Sequence, residues 1–315
     1  MPDRILVTIP MGAQHKAALA AAAPGAVIDY VDSGEVTRPQ VMAADIILGN
    51  VPAGWLAEAA QLKWLQLNSA GVEAYVRPGV LPEGCLLTNA TGAYGLAIGE
   101  HLLAMLLEIV KKLHLYARNQ QAHQWKDEGT VTSVYGARAL VVGLGDIGGE
   151  FARRLHALGA EVTGIRRHTA DKPPYVEALY RLDALDGLLP SMDIVALCLP
   201  ESAETVGVMD ARRLTLMKPG AILLNVGRGS AVDSLALCEA LNSGRLGGAG
   251  LDVTDPEPLP PDHPLWDAPN LVITPHVSGF YHLPETLERI IRICLDNVRA
   301  YYAGQPLRNR ISHGG

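Results

Sequence analysis

A glycine-rich turn between an apolar run and a helical segment constrains this chain more than any other feature of its sequence. Gly143, Gly145 and Gly148 form G-x-G-x-x-G, directly after ALVV and directly before GEFARRLHALG. In a strand–turn–helix unit the first glycine allows a tight turn, the second lets the backbone approach a pyrophosphate, and the third lets helix and strand pack closely. The N–H groups at the helix start, with Asp146 and Ile147, would bind the diphosphate. The pattern predicts dinucleotide binding, the alternative being a glycine turn that only packs well.

The end of the following strand carries two arginines where an acidic residue is usual. In NAD-binding units an Asp or Glu about 20 positions past the motif accepts hydrogen bonds from the adenosine ribose. Here that stretch ends in Arg166 and Arg167. A guanidinium cannot accept those bonds, but it can bind a 2′-phosphate through two N–H groups. The pair therefore predicts NADP(H) as the preferred cofactor, with NAD(H) possible, and the alternative is that both arginines face solvent.

Short apolar runs alternate with helical stretches along the rest of the chain. Five strand candidates (RILVTI, AVIDYV, DIILGN, LKWLQLN and CLLTN) precede residue 92, with QHKAALAAAA and PAGWLAEAA as the helices between them. One long helix is expected over residues 93–118, then six strand candidates from ARALVVG onward, and a last helix from Pro284 to a stop at Gly304. Apolar strands separated by helices favour parallel sheets covered on both faces. The predicted fold class is α/β, with doubly wound parallel sheets.

Composition bears on the partners that this chain can have. Its net charge is −7, whereas general nucleic-acid binding needs a basic face, so no nucleic-acid partner is expected. No run approaches the ~20 uninterrupted apolar residues of a membrane span, and the N-terminal apolar run is too short for a signal peptide, so no membrane partner is expected. The four cysteines form no CxxC pair, which favours buried thiols in a cytoplasmic protein over disulfides or a metal site.

Three downstream segments each place a residue of a reactive type after a predicted strand. Arg228 lies in LLNVGRGSAVD, Glu257 in GLDVTDPEPLPPDHPLW and His276 in LVITPHVSG. Loops at the carboxyl ends of parallel strands converge on the ligand crevice, so these residues can meet. Reduction of a 2-keto acid would use all three: a two-pronged cation for the carboxylate, a proton donor for the keto oxygen, and a carboxylate that favours and orients the imidazolium. Taken singly, each has an ordinary structural alternative.

The segments GLGDIG, NVGRG, DVTDPEPLP…HPLW and TPHVSG together resemble those of the D-isomer-specific 2-hydroxyacid dehydrogenase family, and NSAGVE and GEHLLAMLL also fit. The resemblance implies a Rossmann-like coenzyme domain over residues 97–284. It would be inserted in a flavodoxin-like substrate domain of residues 1–96 and 285–315, with the cofactor in the cleft between them. It also implies a homodimer, with the helix at 93–118 and the arm QQAHQW as the dimer contact.

The same resemblance assigns roles by position. Arg228 corresponds to the carboxylate-binding arginine, Glu257 to the partner of the acid/base, and His276 to the acid/base itself, which also borders the cofactor. The backbone N–H groups of Ala70 and Gly71 would help to hold the substrate carboxylate. The other implied cofactor contacts are Leu199 and Pro200 on the adenosine side, Val226 at the nicotinamide ring, and Asp252 at its carboxamide.

Three departures from the family pattern are expected to matter. Thr254 stands where Phe is common, Glu201–Ser202 replaces a more apolar pair, and Arg166–Arg167 moves the expected cofactor from NAD to NADP. The substrate side chain would be selected by residues 49–56, Tyr94 and residues 278–283.

The sequence thus predicts an NADPH-dependent reductase that converts a small 2-keto acid, of the glyoxylate or hydroxypyruvate type, to the D-2-hydroxy acid. One alternative is an NAD-dependent D-2-hydroxyacid dehydrogenase for a bulkier substrate. Another is a non-enzymatic, nucleotide-sensing protein similar to the corepressors related to this family. Phosphoglycerate dehydrogenases with an extra regulatory domain are disfavoured at 315 residues.

Overall fold

The chain divides into two compact units in the computed structural model, which describes residues 2–167, 169 and 171–313. The first unit contains the residues up to Tyr94 and those from Leu283 onward, and the second is Gly95–His282. The boundaries expected from the sequence lie at 96–97 and 284–285, and the roles assigned to the two domains stay predictions.

The described residues form strands and α-helices in the following order. The strands are β1 (Arg4–Val7), β2 (Val27–Tyr30), β3 (Ile46–Leu48), β4 (Trp64–Gln66), β5 (Leu86–Thr88), β6 (Arg138–Val142), β7 (Glu161–Ile165), β8 (Ala178–Tyr180), β9 (Ile194–Leu197), β10 (Ile222–Asn225), β11 (Gly248–Leu251), β12 (Leu271–Ile273) and β13 (Arg310–Ile311). The helices are α1 (Ala13–Ala22), α2 (Arg38–Met42), α3 (Ala53–Leu56), α4 (Gly95–Val110), α5 (Leu113–Gln121), α6 (Asp146–Ala157), α7 (Leu185–Leu188), α8 (Ala211–Leu216), α9 (Ser234–Asn242) and α10 (Pro284–Tyr302). Within this described part, no helix has both the length and the apolar character needed to cross a membrane.

The first unit is built on a sheet with the strand order β13-β5-β4-β3-β1-β2. Strands β1 to β5 pair in parallel, in the flavodoxin-like order 2-1-3-4-5. Strand β13 pairs antiparallel with β5, and the sequence analysis missed it because two residues carry no readable period. The inner strands are buried along their whole length, as expected of a parallel sheet covered on both faces.

The second unit is a parallel sheet with the order β12-β11-β10-β9-β6-β7-β8. Counted from β6, this is the Rossmann order 3-2-1-4-5-6 with a seventh strand added beside the sixth, so the predicted fold class is confirmed. The strand missed by the sequence analysis is β8, which has three residues and no buried one. The direction of winding changes between β6 and β9, which is where ligands bind in such sheets.

The single helix expected over residues 93–118 is wrong, because α4 ends at Val110 and α5 begins at Leu113. Lys112 between them has a φ of +58°, in the left-handed region that ends a right-handed helix. The buried His114 turns back onto the end of α4, with its Nδ1 3.3 Å from the carbonyl oxygen of Glu108. The break thus satisfies a carbonyl that the helix end leaves without an N–H partner.

Two other helix predictions have opposite outcomes. The helix expected over PAGWLAEAA is only a single turn, α3. The last helix ends as predicted: Gly304 follows it with a φ of +65°, and the N–H groups of Gly304 and Gln305 donate to the carbonyls of Tyr301 and Ala300. This pair of bonds is a Schellman cap.

Candidate active site

The glycine-rich turn joins β6 to α6 with a different constraint at each glycine. Gly143 has a φ of +99°, and a Cβ built there would lie 2.5 Å from the carbonyl oxygen of Cys198. A Cβ on Gly148 would overlap the carbonyl oxygen of Gly143. Gly145, in contrast, is exposed, and a Cβ there would meet no atom within 4 Å. The first and third glycines are therefore required by packing, whereas the second borders open space that a ligand can approach.

The start of α6 can bind a phosphate through its backbone. The first-turn N–H groups of Asp146, Ile147 and Gly148 precede any helical carbonyl to which they could donate. The Asp146 carboxylate is turned away from this role, because its Oδ2 accepts the N–H of Gly95 at 2.9 Å and so caps the start of α4. The predicted contact of Asp146 with the cofactor is thus limited to its N–H group. These donors and the open side of Gly145 fit a dinucleotide diphosphate.

Arg166 follows β7 and is half-buried, while Arg167 is exposed. The Arg166 backbone N–H donates to the carbonyl of Tyr180 at 3.1 Å, and its Nη2 donates to the carbonyl of Asp171. Its Nε is buried and has no hydrogen-bond partner among the described residues. A buried donor without an acceptor costs free energy, and a phosphate oxygen would satisfy it. The residues present therefore fit a cofactor with a 2′-phosphate.

Arg228 lies in a loop that Asn225 holds in place after β10. The fully buried Asn225 accepts the Gly227 N–H at 3.0 Å and donates to the Arg228 carbonyl at 2.9 Å. The Arg228 Nη1 donates to the Gly227 carbonyl at 2.7 Å. A Cβ on Gly229 would overlap the Thr254 carbonyl, so this loop lies against the one that leads to Glu257. Asn225 is a site residue that the sequence analysis missed, although a polar residue at the end of an apolar strand was a usable signal.

His276 and Glu257, predicted from the sequence as an acid/base and its partner, lie in contact, and their catalytic roles stay predictions. His276 Nδ1 lies 2.6 Å from Glu257 Oε1, and the two side chains are 47% and 42% exposed. An ionised carboxylate only accepts, so Nδ1 carries the proton of this bond and Nε2 remains for a substrate. The φ of His276 is +51°, an unusual value for a residue with a side chain, and one that is often found at functional sites.

Asp252 holds the loop that carries His276. Its carboxylate is 1% exposed and accepts four hydrogen bonds. Oδ1 accepts from the hydroxyl of Thr274 at 2.6 Å and the N–H of Val277 at 3.0 Å. Oδ2 accepts from the N–H of Ser278 at 3.2 Å and its hydroxyl at 2.5 Å, while the His276 N–H donates to the Asp252 carbonyl at 2.8 Å. This carboxylate therefore holds the loop on both sides of His276, and its predicted contact with nicotinamide stays a prediction.

The loop after β9 contains Leu199 and Pro200 and packs against the Arg228 loop. A Cβ on Gly227 would lie 2.5 Å from the Leu199 carbonyl oxygen. Glu201 Oε2 accepts the hydroxyl of Ser230 at 2.7 Å. Glu201, one of the predicted departures from the family pattern, thus links these two loops. The predicted cofactor contacts of Leu199 and Pro200 stay predictions.

The remaining predicted residues would act through their backbones. Val226 is buried, and its N–H continues the ladder between β9 and β10. In the first unit, the carbonyl of Ala70 accepts from the Asn89 side chain and that of Gly71 from the Ser69 hydroxyl, each at 2.7 Å. These bonds fix the orientation of the two peptides, and the predicted roles of their N–H groups stay predictions.

Cys198 directly follows β9, beside the glycine-rich turn. Burial raises the pKa of its thiol to about 12. The thiolate is the nucleophilic form of cysteine, so Cys198 does not supply a nucleophile at neutral pH.

Comparisons with known proteins agree with this arrangement. The family model for the NAD binding domain of D-isomer specific 2-hydroxyacid dehydrogenases matches residues 103–278. Glyoxylate/hydroxypyruvate reductase B of Pectobacterium carotovorum subsp. carotovorum (strain PC1) is 32% identical over 285 residues, or 87% of this chain and 88% of that protein.

Solved structures give the same result. A D-isomer specific 2-hydroxyacid dehydrogenase family protein from Aeromonas salmonicida subsp. salmonicida A449 has a TM-score of 0.86 and 32% identity, covering 99% of both chains. A D-isomer specific 2-hydroxyacid dehydrogenase from Xanthobacter autotrophicus Py2, in complex with NADPH and MES, has a TM-score of 0.81 and 30% identity, covering 99% of this chain and 98% of that one.

Similarity of this extent reaches beyond the nucleotide-binding sheet to nearly the whole chain. The protein is an oxidoreductase that uses a nicotinamide cofactor. It belongs to the D-isomer-specific 2-hydroxyacid dehydrogenase family, as its sequence motifs predicted.

Proposed function

We propose that this enzyme reduces a small 2-keto acid, of the glyoxylate or hydroxypyruvate type, to the D-2-hydroxy acid with NADPH. The observation that carries the proposal is the 2.6 Å contact of His276 with Glu257, an acid/base pair beside the loop of Arg228. The unpaired Nε of Arg166 supports NADPH over NADH. The relative named glyoxylate/hydroxypyruvate reductase B and the related structure with bound NADPH agree with both parts.

The residues divide the work as follows. When bound, NADPH supplies a hydride to the keto carbon. The first-turn N–H groups of α6 would hold its diphosphate, and Arg166 its 2′-phosphate. Arg228 would bind the substrate carboxylate through two N–H groups, with the guanidinium oriented by its bond to the Gly227 carbonyl.

His276 supplies the proton in this mechanism. Its Nδ1–H is held by Glu257, so Nε2 is the nitrogen whose proton passes to the keto oxygen. The Glu257 carboxylate orients the imidazolium that precedes this transfer. After the transfer the neutral imidazole keeps the same Nδ1–H bond, so the ring needs no reorientation before it is protonated again.

A steady-state comparison of NADPH and NADH oxidation, with glyoxylate and hydroxypyruvate as acceptors, tests the proposal. We expect NADPH to be preferred. His276→Asn should lower kcat by ~10²–10⁴, while His156→Asn, a change to an exposed histidine on α6, should have no effect.

Three other results would replace the proposal. Preference for NADH would reject the cofactor, and activity with larger keto acids alone would indicate the bulkier-substrate dehydrogenase. NADPH binding without turnover of any 2-keto acid would indicate the nucleotide-sensing, corepressor-like protein.

We also propose that two copies of this chain form a dimer through the arm QQAHQW, residues 120–125, at the end of α5. Trp125 on this arm is fully exposed, at 107% of its reference area. An open groove of about 720 Å³ lies beside it, lined by residues from Tyr116 to Asp127. An exposed tryptophan at such a groove is typical of an interface. Light scattering should give the mass of a dimer for the wild type and that of a monomer for Trp125→Glu, and a monomeric wild type would reject the proposal.

We place the enzyme in the cytoplasm on the state of its thiols. All four cysteines are free, and Cys85, Cys238 and Cys294 are buried. Reduced thiols are usual where glutathione and thioredoxin are active. Cell fractionation tests this location, and recovery in an extracellular fraction would reject it.

A further inference from the structure

A histidine outside the proposed mechanism contacts the loop that carries the acid/base. His101 lies on α4, and its Nε2 is 3.0 Å from the hydroxyl oxygen of Thr274. The same nitrogen is 3.8 Å from Oδ1 of Asp252. His101 is 173 residues from Thr274 in sequence, so this contact depends on how α4 packs beside β12.

The proton positions along this contact follow from donor and acceptor counts. A hydroxyl has one proton to donate, and an ionised carboxylate only accepts. The 2.6 Å bond from Thr274 to Asp252 therefore uses the Thr274 proton. The Thr274 oxygen must then accept the bond from His101, so His101 Nε2 is protonated. The chain of donation runs from His101 to Thr274 to Asp252.

This series of hydrogen bonds ends on the Asp252 carboxylate, which accepts bonds from both sides of the His276 loop. The donors to Asp252 come from Thr274, Val277 and Ser278, on both sides of His276. His276 itself has a φ of +51°, a conformation that persists only where surrounding contacts enforce it. Fixing the Thr274 hydroxyl on Asp252 is therefore one of the constraints that hold the imidazole in place.

We propose that His101 is a positioning residue for His276, acting through Thr274 and Asp252. The inference rests on the proposed function, because His276 is the proton donor in that reaction. His101 touches none of the reacting atoms in this scheme. Its role is to donate to Thr274, so that the Thr274 proton points to Asp252 and the loop keeps one conformation.

Substitutions of His101 separate hydrogen bonding from packing. His101→Phe keeps the ring but removes the donor, and displacement of the acid/base should lower kcat about 10- to 100-fold. The dissociation constant for NADPH and the KM for the keto acid should change less than about twofold. His101→Gln places an amide N–H where Nε2 lies, and should restore most of the lost kcat.

Substitution of Thr274 provides a second test of the same series of hydrogen bonds. Thr274→Val is close in shape and lacks the hydroxyl, so its loss of kcat should match that of His101→Phe. Because both changes interrupt the same series of hydrogen bonds, the double variant should lose no more kcat than either single variant. Losses that multiply in the double variant, or a His101→Gln variant as impaired as His101→Phe, would overturn the proposal. If His101→Phe does not fold, as judged by thermal melting, His101→Gln and Thr274→Val decide the question.

Nitrogen NMR of ¹⁵N-histidine-labelled enzyme gives a reading that does not depend on turnover. We expect His101 Nε2 to appear as a protonated nitrogen, and the His276 signals to shift in Thr274→Val. An unprotonated Nε2, or His276 signals that do not change, would reject the inference. Absence of turnover in the wild type would instead reject the proposed function, and the NMR result would still decide the role of His101.

Discussion

The cofactor preference can be tested through Arg166, because the Nε–H group of its side chain has no hydrogen-bond acceptor among the described residues. Its Nη2 bonds to the Asp171 carbonyl, whereas its buried Nε has no partner among the described residues. Arg166→Gln removes the positive charge and the planar set of donors and keeps a polar side chain of intermediate length. Arg167→Gln makes the same change at the exposed neighbouring residue.

The expected change in cofactor preference can be calculated from the hydrogen bond that Arg166 would make to the 2′-phosphate. One further charge-assisted hydrogen bond to a phosphate contributes about 1.5–3 kcal/mol, equivalent to about 10- to 150-fold in the NADPH-to-NADH ratio of kcat/KM. Arg167 is exposed, where an ion pair contributes at most about 1 kcal/mol, or about fivefold. We therefore expect Arg166→Gln to reduce the NADPH preference by at least tenfold, and Arg167→Gln by fivefold or less.

The assay measures kcat/KM for NADPH and for NADH at a saturating concentration of one keto acid. Arg299→Gln, an exposed arginine on α10 that pairs with Asp296, is the matched control and should leave the ratio unchanged. The reasoning is refuted if Arg166→Gln changes the ratio less than twofold, or if Arg167→Gln has the larger effect.

Further predictions concern the glycine-rich turn, the catalytic pair and the buried thiols. Gly145→Ala should fold normally but weaken NADPH binding about tenfold or more, whereas Gly148→Ala should lower the free energy of unfolding by about 1–3 kcal/mol through overpacking. Glu257→Gln should lower kcat about tenfold, because a charge-assisted bond to His276 becomes a neutral one. Burial raises the pKa of the Cys198 and Cys294 thiols from 9.0 to about 12. The unfolded chain therefore loses these protons first, so the contribution of these two thiols to the free energy of unfolding should be constant below pH 9 and fall as the pH rises toward 12.

Each of these predictions has a clear contrary result. Equal NADPH affinity in Gly145→Ala and wild type, by fluorescence titration, would place the diphosphate elsewhere. Glu257→Gln is compared with Glu239→Gln on the exposed face of α9, and equal kcat values would remove Glu257 from the mechanism. Labelling of Cys294 by iodoacetamide at pH 8 should require unfolding, so rapid labelling of Cys294 in the folded enzyme would contradict its burial.

The sequence by itself determined the parts of this protein that depend on local constraints. The glycine-rich turn was readable because Gly143 needs a positive φ and Gly148 has no space for a Cβ, and both requirements arise within one strand–turn–helix unit. The sheets were readable because strands buried on both faces appear as short apolar runs. The segments GLGDIG, NVGRG, DVTDPEPLP…HPLW and TPHVSG together were sufficient to indicate the family.

Only the tertiary structure decided which polar groups are already engaged. Asp146 reads as a residue of the phosphate turn, yet its carboxylate caps α4. Asp252 accepts four bonds from the His276 loop, and His101 reaches that loop from a distant helix. Each of these contacts joins residues that are far apart in the chain. A hydrogen bond between distant residues depends on how elements pack in three dimensions, and it leaves no periodic signal in the sequence of either partner.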